Sequence, residues 1–168
     1  QGAWTEVVQG QTPIIDTQLP RSGRFSAWLG GTDQESLQYI FQDVQIPANA
    51  TRIQLSYARL VHQETTGLFG AFASDALFSA LFATTNGDPL LVIEEISSTE
   101  GDDTWREVSF DVSRLAGRPV RMVFAAENPR GNVSSMFVDD VALVACTTGQ
   151  GPAAPPTANA ELVYLQGQ

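Results

Sequence analysis

Arg52-Ile53-Gln54-Leu55-Ser56-Tyr57-Ala58-Arg59-Leu60-Val61 is the stretch that decides the fold. Ile53, Leu55, Tyr57, Arg59 and Val61 share one parity, and Arg52, Gln54, Ser56, Ala58 and Leu60 the other. A period of two belongs to a β-strand, whose successive side chains leave opposite faces of a sheet. Working outward, Val108, Phe110 and Val112 alternate with Glu107, Ser109 and Asp111, and Val120, Met122 and Phe124 alternate with Arg121 and Val123. Looser runs of the same kind lie at 4–8, 24–29, 37–46, 76–84, 90–96 and 136–145. Turn residues separate them: Gly30-Gly31-Thr32-Asp33, Pro47-Ala48-Asn49, Asn86-Gly87-Asp88 and Gly101-Asp102-Asp103. Asn86-Gly87 between two apolar runs predicts a β-hairpin. Ser113-Arg114-Leu115-Ala116 alone reads as a helical turn. About nine short strands punctuated in this way predict an all-β protein, an antiparallel β-sandwich of the jelly-roll kind.

Composition narrows the function classes. The chain has 168 residues, enough for one domain with length to spare, and only 17% of them are charged. Soluble domains average about 25%, so much of the polar surface falls to Ser, Thr, Gln, Asn and Gly. All nine basic residues are arginine, against nineteen acidic ones, for a net charge of -10. An acidic surface repels phosphate backbones, which argues against a nucleic-acid partner. With no lysine, covalent assembly through Lys–Asn isopeptide bonds is excluded. No run reaches the ~18 apolar residues of a membrane-spanning helix, so no membrane partner is expected. The start at Gln1-Gly2-Ala3, without methionine, reads as a processed terminus and predicts an extracellular protein secreted after signal-peptide removal. Cys146, the single cysteine, has no internal partner; it reads first as a small buried hydrophobe, with an intermolecular disulfide as the alternative.

Ser22-Gly23-Arg24-Phe25-Ser26-Ala27-Trp28-Leu29-Gly30-Gly31, the edge Gln42-Asp43-Val44-Gln45-Ile46-Pro47, Trp105 with Phe110-Asp111-Val112, and the closing Phe137-Val138-Asp139-Asp140-Val141 form a recognisable set. Over about residues 4–145 the chain resembles the MAM-like and carbohydrate-binding-module-like jelly rolls of secreted bacterial proteins. The resemblance implies adhesion, sugar binding or assembly, and often one structural calcium near the closing Asp-Asp-Val.

The chemistry of the residues points away from catalysis, and no enzyme is expected. His62 is the only histidine, and there is no Gly-x-Ser-x-Gly, His-Glu-x-x-His, Cys-x-x-Cys or phosphate-binding glycine loop. Asp139 and Asp140 are the candidate calcium ligands; on a regular strand they point to opposite faces, and the inward one needs an ion, an arginine or backbone donors. No other cofactor is expected. Glu100, Asp102 and Asp103 read as a solvated acidic loop. A sugar would need an aromatic platform, for which Trp28 and Tyr57 are the candidates beside Trp4 and Trp105; each reads first as a core residue, because aromatics dominate β-sandwich cores. Residues 67–82 are unusually apolar for a connection, and Leu68, Phe69 and Phe72 read either as a folded-over loop or as an apolar contact surface.

The organisation predicted is a sandwich domain over 1–146, a Pro/Ala-rich linker over 147–160 and an extension strand over 161–168. In polyproline conformation the fourteen linker residues reach about 43 Å at ~3.1 Å per residue. Leu162, Val163, Tyr164, Leu165 and Gln166 form the candidate assembly strand. Three readings of it stand side by side: an expression remnant, since Glu161, Tyr164, Gln166 and Gly167 match a tag-removal protease site; a strand folded back on its own domain; and a donor strand added to a neighbour's sheet. The long linker favours the third, because folding back needs only a short turn. The leading expectation is therefore a structural subunit of an extracellular filament or pilus, a head-to-tail homopolymer built by donation of the C-terminal strand. The alternative is a secreted carbohydrate-binding or adhesion module, with calcium as a candidate stabiliser.

Overall fold

A computed structural model describes residues 4–8, 13–64 and 74–148, together with the backbone of Val163–Tyr164. Eleven strands run in the order β1 (Thr5–Val7), β2 (Ile15–Asp16), β3 (Ser26–Gly30), β4 (Ser36–Gln45), β5 (Ala50–His62), β6 (Leu77–Ala83), β7 (Pro89–Ser97), β8 (Arg106–Asp111), β9 (Pro119–Asn128), β10 (Ser135–Thr147) and β11 (Val163–Tyr164). They form two antiparallel sheets. The first has the order β1-β4-β9-β6-β7; the second has β2-β3-β10-β5-β8, with β11 added on β10. This is the jelly-roll sandwich read from the sequence, and each of the nine expected runs carries a strand. Only the two-residue β2 and the placement of β11 are additions. Ser113–Leu115 is a 3-10 turn.

The alternation of β5 explains the core. Ile53, Leu55, Tyr57 and Val61 are buried, and they meet Val120, Met122, Phe124 and Ala126 from β9 and Phe78 and Phe82 from β6. Burying each such side chain stabilises the fold by roughly 1.5–3 kcal/mol relative to exposure. The β6–β7 hairpin closes as predicted at Asn86-Gly87. Gly87 takes φ +99°, a left-handed conformation that glycine adopts without strain, and its N–H donates to the Thr84 carbonyl at 2.9 Å.

Strand β10 is the central strand of the second sheet. It pairs with β3 only from Ser135 to Val138, and with β5 from Ser135 to Thr147. Between Asp139, opposite Ala58, and Ala142, opposite Ser56, it carries an extra residue, a β-bulge. Asp140 sits there at φ +52°, a region that aspartate tolerates better than most residues. The bulge re-aims both carboxylates, so they do not diverge to opposite faces as a regular strand predicts.

The expectation for Cys146 needs correction: it is exposed, not buried, because Ala145 takes the inward position and its neighbour faces out. The backbone of Val163–Tyr164 pairs with Leu143 and Ala142 of the same chain, the pairing of a strand folded back on its own domain. The sandwich's last strand ends at Thr147. Linker residues 149–160, the loop residues Leu68, Phe69 and Phe72, and Leu162, Leu165 and Gln166 lie outside the described residues.

Candidate functional site

The outer face of the first sheet is apolar where a solvated face would be polar. In β4, Ser36 and Ile40 are buried, so Leu37, Tyr39, Phe41 and Asp43 fall on the opposite, outward side. Cross-strand register extends this side into rows. Val7, Tyr39, Ala125, Ser79 and Glu95 stand side by side across five strands, and so do Thr5, Phe41, Val123, Leu81 and Val92. Five strands span about 19 Å at ~4.8 Å per step. Of the four large hydrophobic residues most exposed among those described, Leu37 (47%), Leu77 (39%) and Val92 (50%) belong to this face.

Two aromatic rings form its centre. Tyr39 and Phe41 are half-buried, with ring centroids 6.3 Å apart and planes tilted by 33°. The Arg121 guanidinium lies over the Phe41 ring, 3.9 Å from the centroid. It is fixed there by Asp43, which accepts from Nε at 2.7 Å and from Nη2 at 2.9 Å. That bidentate bond holds the Asp43 carboxyl below the usual carboxylate range. Glu127, opposite Leu37 and Leu77, and Glu95 and Ser79 supply polar groups at the rim. An apolar platform with a few fixed polar groups binds amphipathic ligands: ring faces take apolar C–H surfaces, and the polar rim takes hydroxyls.

The platform residues expected from the sequence lie elsewhere. Tyr57 is core, 2% exposed, with its hydroxyl donating to Glu94 at 2.7 Å. Burial first, and the Glu94 carboxylate second, push its phenol up. Tyr57 therefore cannot present a ring face, and that expectation is corrected. Trp28 is half-buried on the outer face of the second sheet. It stacks on Phe137 at 5.9 Å, and its indole N–H donates to Ser135 Oγ at 2.9 Å. Trp4 packs against Phe124 at 5.8 Å.

Asp139 and Asp140 come together on one loop. Asp139, 3% exposed, accepts through Oδ2 from the backbone N–H of Arg21 (2.8 Å) and Ser22 (3.0 Å), and through Oδ1 from the N–H of Asp140 (2.7 Å). Asp140 accepts from the Arg21 guanidinium at 2.6 Å and from the Ser22 hydroxyl. Every carboxylate oxygen of the pair already has a donor from the chain. Among the described residues, no group of three or more His, Cys, Asp or Glu is placed to hold a metal ion. The acidic turn is partnered as well. Glu100 accepts from the Ser97 N–H, Asp102 pairs with Arg106 and Asp103 pairs with His62.

No helix among the described residues is long and apolar enough to cross a membrane. No protein-family model and no curated protein matches the chain. Solved structures do. A family 61 carbohydrate-binding module, determined with β-1,4-galactotriose, aligns over 83% of this chain and 86% of its own, with a TM-score of 0.53 at 15% identity. The N-terminal tandem of two family 22 modules from Paenibacillus barcinonensis Xyn10C aligns over 91% of this chain and 44% of its own, with a TM-score of 0.50 at 12% identity. At such identities the likeness is one of fold, and it is to the carbohydrate-binding-module jelly roll.

Proposed function

We propose that the protein is an exported, non-catalytic β-sandwich module that binds carbohydrate on the outer face of its first sheet. The observation that carries this reading is the Tyr39–Phe41 pair, set in an exposed apolar field and flanked by the fixed Arg121–Asp43 ion pair. The rows across the sheet are long enough for an oligosaccharide. The shared fold with a module determined with galactotriose supports the same ligand class. The test is affinity electrophoresis against a panel of neutral plant and microbial polysaccharides, followed by calorimetry on any that retard the protein. Tyr39→Ala/Phe41→Ala should weaken binding at least tenfold, about 1.4 kcal/mol, while Gln54→Ala on the opposite sheet leaves it unchanged. Equal binding by the double variant overturns the assignment of this face.

A second reading has its own observation. The backbone of Val163–Tyr164 adds to the edge of β10 within its own chain, and the same pairing made between two chains would be strand donation of the kind that builds polymers. On this reading the protein is a building block of an extracellular filament. Electron microscopy of the concentrated protein tests it, and uniformly monomeric particles refute it.

A further inference from the structure

We infer that the half-edge of β10 beyond its bulge, with the groove beside it, is the acceptor for the C-terminal strand of a second copy of this chain. The inference rests on the strand-donating reading and names the surface such a subunit would use.

Among the described residues both sheets leave the same flank unfinished. β3 follows β10 only as far as Val138, and from Val141 to Thr147 the β3 side of β10 is paired, among the described residues, only at Ala142 and Leu143, with β11. In the first sheet, β1 covers β4 only from Tyr39 to Phe41, and among the described residues no strand continues along 42–45 on that side. Between these two uncovered stretches lies a groove of about 220 Å³, walled by Val44, Ile46, Ile53, Leu143 and Ala145. Gln42 lines it too, and its buried Oε1 has no hydrogen-bond partner among the described residues. Open backbone, apolar wall and an unused acceptor are what an arriving strand requires.

The chain itself identifies the occupant. β11 pairs on this edge with Val163 opposite Leu143, a groove residue, so the terminal segment and the edge are compatible in register. Continuing that register would set Asn159 opposite Thr147 and leave residues 148–158, eleven in number, as the connection. A β-hairpin needs about two to five. Extended, such a connection reaches about 34 Å at ~3.1 Å per residue, far enough for another sandwich. Pro152, Pro155 and Pro156 each fix φ and favour extension over reversal. Pairing within one chain and between chains forms the same edge contacts, so concentration decides between them. Each copy carries one donor and one acceptor, a heterologous contact that generates rings or open filaments.

The native thiol provides the test. Continued to the other end of the edge, the same register would set Ala160 opposite the exposed Cys146. Unlabelled and 15N-labelled Ala160→Cys chains are refolded together at high concentration, oxidised and digested. Linkages between Cys146 and the introduced thiol are then sorted by isotope, with light scattering on the wild-type chain in parallel. Exchange predicts that close to half of the linkages join one light and one heavy peptide, and that Val163→Pro, which removes a strand donor, abolishes them. Linkages that are never mixed, or no linkage at all, overturn the acceptor; so does mixed linkage that survives Val163→Pro. Wild-type multimers without mixed linkage would leave a polymerising subunit that uses another surface, whereas monomers at every concentration overturn both.

Discussion

Arg59 on β5 and Glu94 on β7 meet across the interior from opposite sheets, with Nη2 2.6 Å from Oε1 and Nε 3.0 Å from both carboxylate oxygens. Tyr57 donates to the same carboxylate. The parity of β5 places Arg59 on the core face, and this pairing makes a charge tolerable there. The two side chains are 16% and 17% exposed, between the surface pairs that contribute little and the buried pairs that cost 3–5 kcal/mol to break. Glu94→Gln keeps an acceptor for Tyr57 and strands the guanidinium. We expect a loss of about 2 kcal/mol, which for a chain of this size lowers Tm by roughly 4–8 °C. Arg59→Met added to Glu94→Gln should restore most of it; calorimetry of the two variants that finds the double the less stable removes this account.

His62 gives a pH-dependent reading of the turn after β7. Its Nδ1 lies 2.6 Å from Asp103 Oδ1 and its Nε2 3.5 Å from Glu64. Hydrogen bonding to Asp103 is the main cause that raises the imidazole pKa above 6.5, and Glu64 adds to it. A raised folded-state pKa means the contribution to stability is complete below about pH 6.5 and is lost as pH rises through the folded value. As the only histidine, it is resolved by one NMR titration. The midpoint should exceed that of an unfolded reference and drop in Asp103→Asn; a midpoint unmoved by that substitution would show the carboxylate to be irrelevant.

Gly31 is held close against Trp28. Its φ is +70°, and a Cβ there would sit 2.7 Å from the indole ring. Gly31→Ala therefore meets both backbone strain and a clash that shifts the Trp28–Phe137 stack. We expect a destabilisation of more than about 1 kcal/mol and a changed tryptophan near-ultraviolet circular dichroism signal. Unchanged spectra and melting would mean that the loop moves freely.

The strands were legible because their periodicity is simple, and β5 shows it best. The site was not, and β4 explains why. On that strand the outward residues Leu37, Tyr39 and Phe41 are more apolar than the inward Ser36, Gln38 and Gln42. A rule that sends the apolar parity inward therefore reverses the strand. Only the pairing with β9, where Ile40 stands opposite the buried Phe124, fixes which side is which. The same inversion, apolar residues on the face that the sheet turns outward, is the signal that could have located the platform. Tyr57 misled for the opposite reason: its parity was correct, and correct parity made it core. The β10 bulge was hidden too, because no residue type marks it and strict alternation places Asp139 and Asp140 back to back.

That bulge carries a prediction about metal. Asp139 Oδ1 and Oδ2 and both oxygens of Asp140 are occupied by donors from Arg21, Ser22 and Asp140 itself. Calcium takes six to eight oxygen ligands, and to recruit these two carboxylates it would have to break five hydrogen bonds, four of which anchor the loop before β3. Melting curves should therefore coincide in millimolar calcium and in excess EDTA. Asp139→Ala, in contrast, strands two backbone N–H groups of the loop and removes a buried acceptor. Hydrogen bonds to a charged group contribute about 1.5–3 kcal/mol, so a loss of that order is expected. It should come with faster amide exchange at Arg21 and Ser22. An increase in Tm on adding calcium, abolished by Asp139→Ala, would instead make this pair an ion site that displaces Arg21. The absence of any such increase leaves the carboxylates as the clamp that fixes the loop to β10.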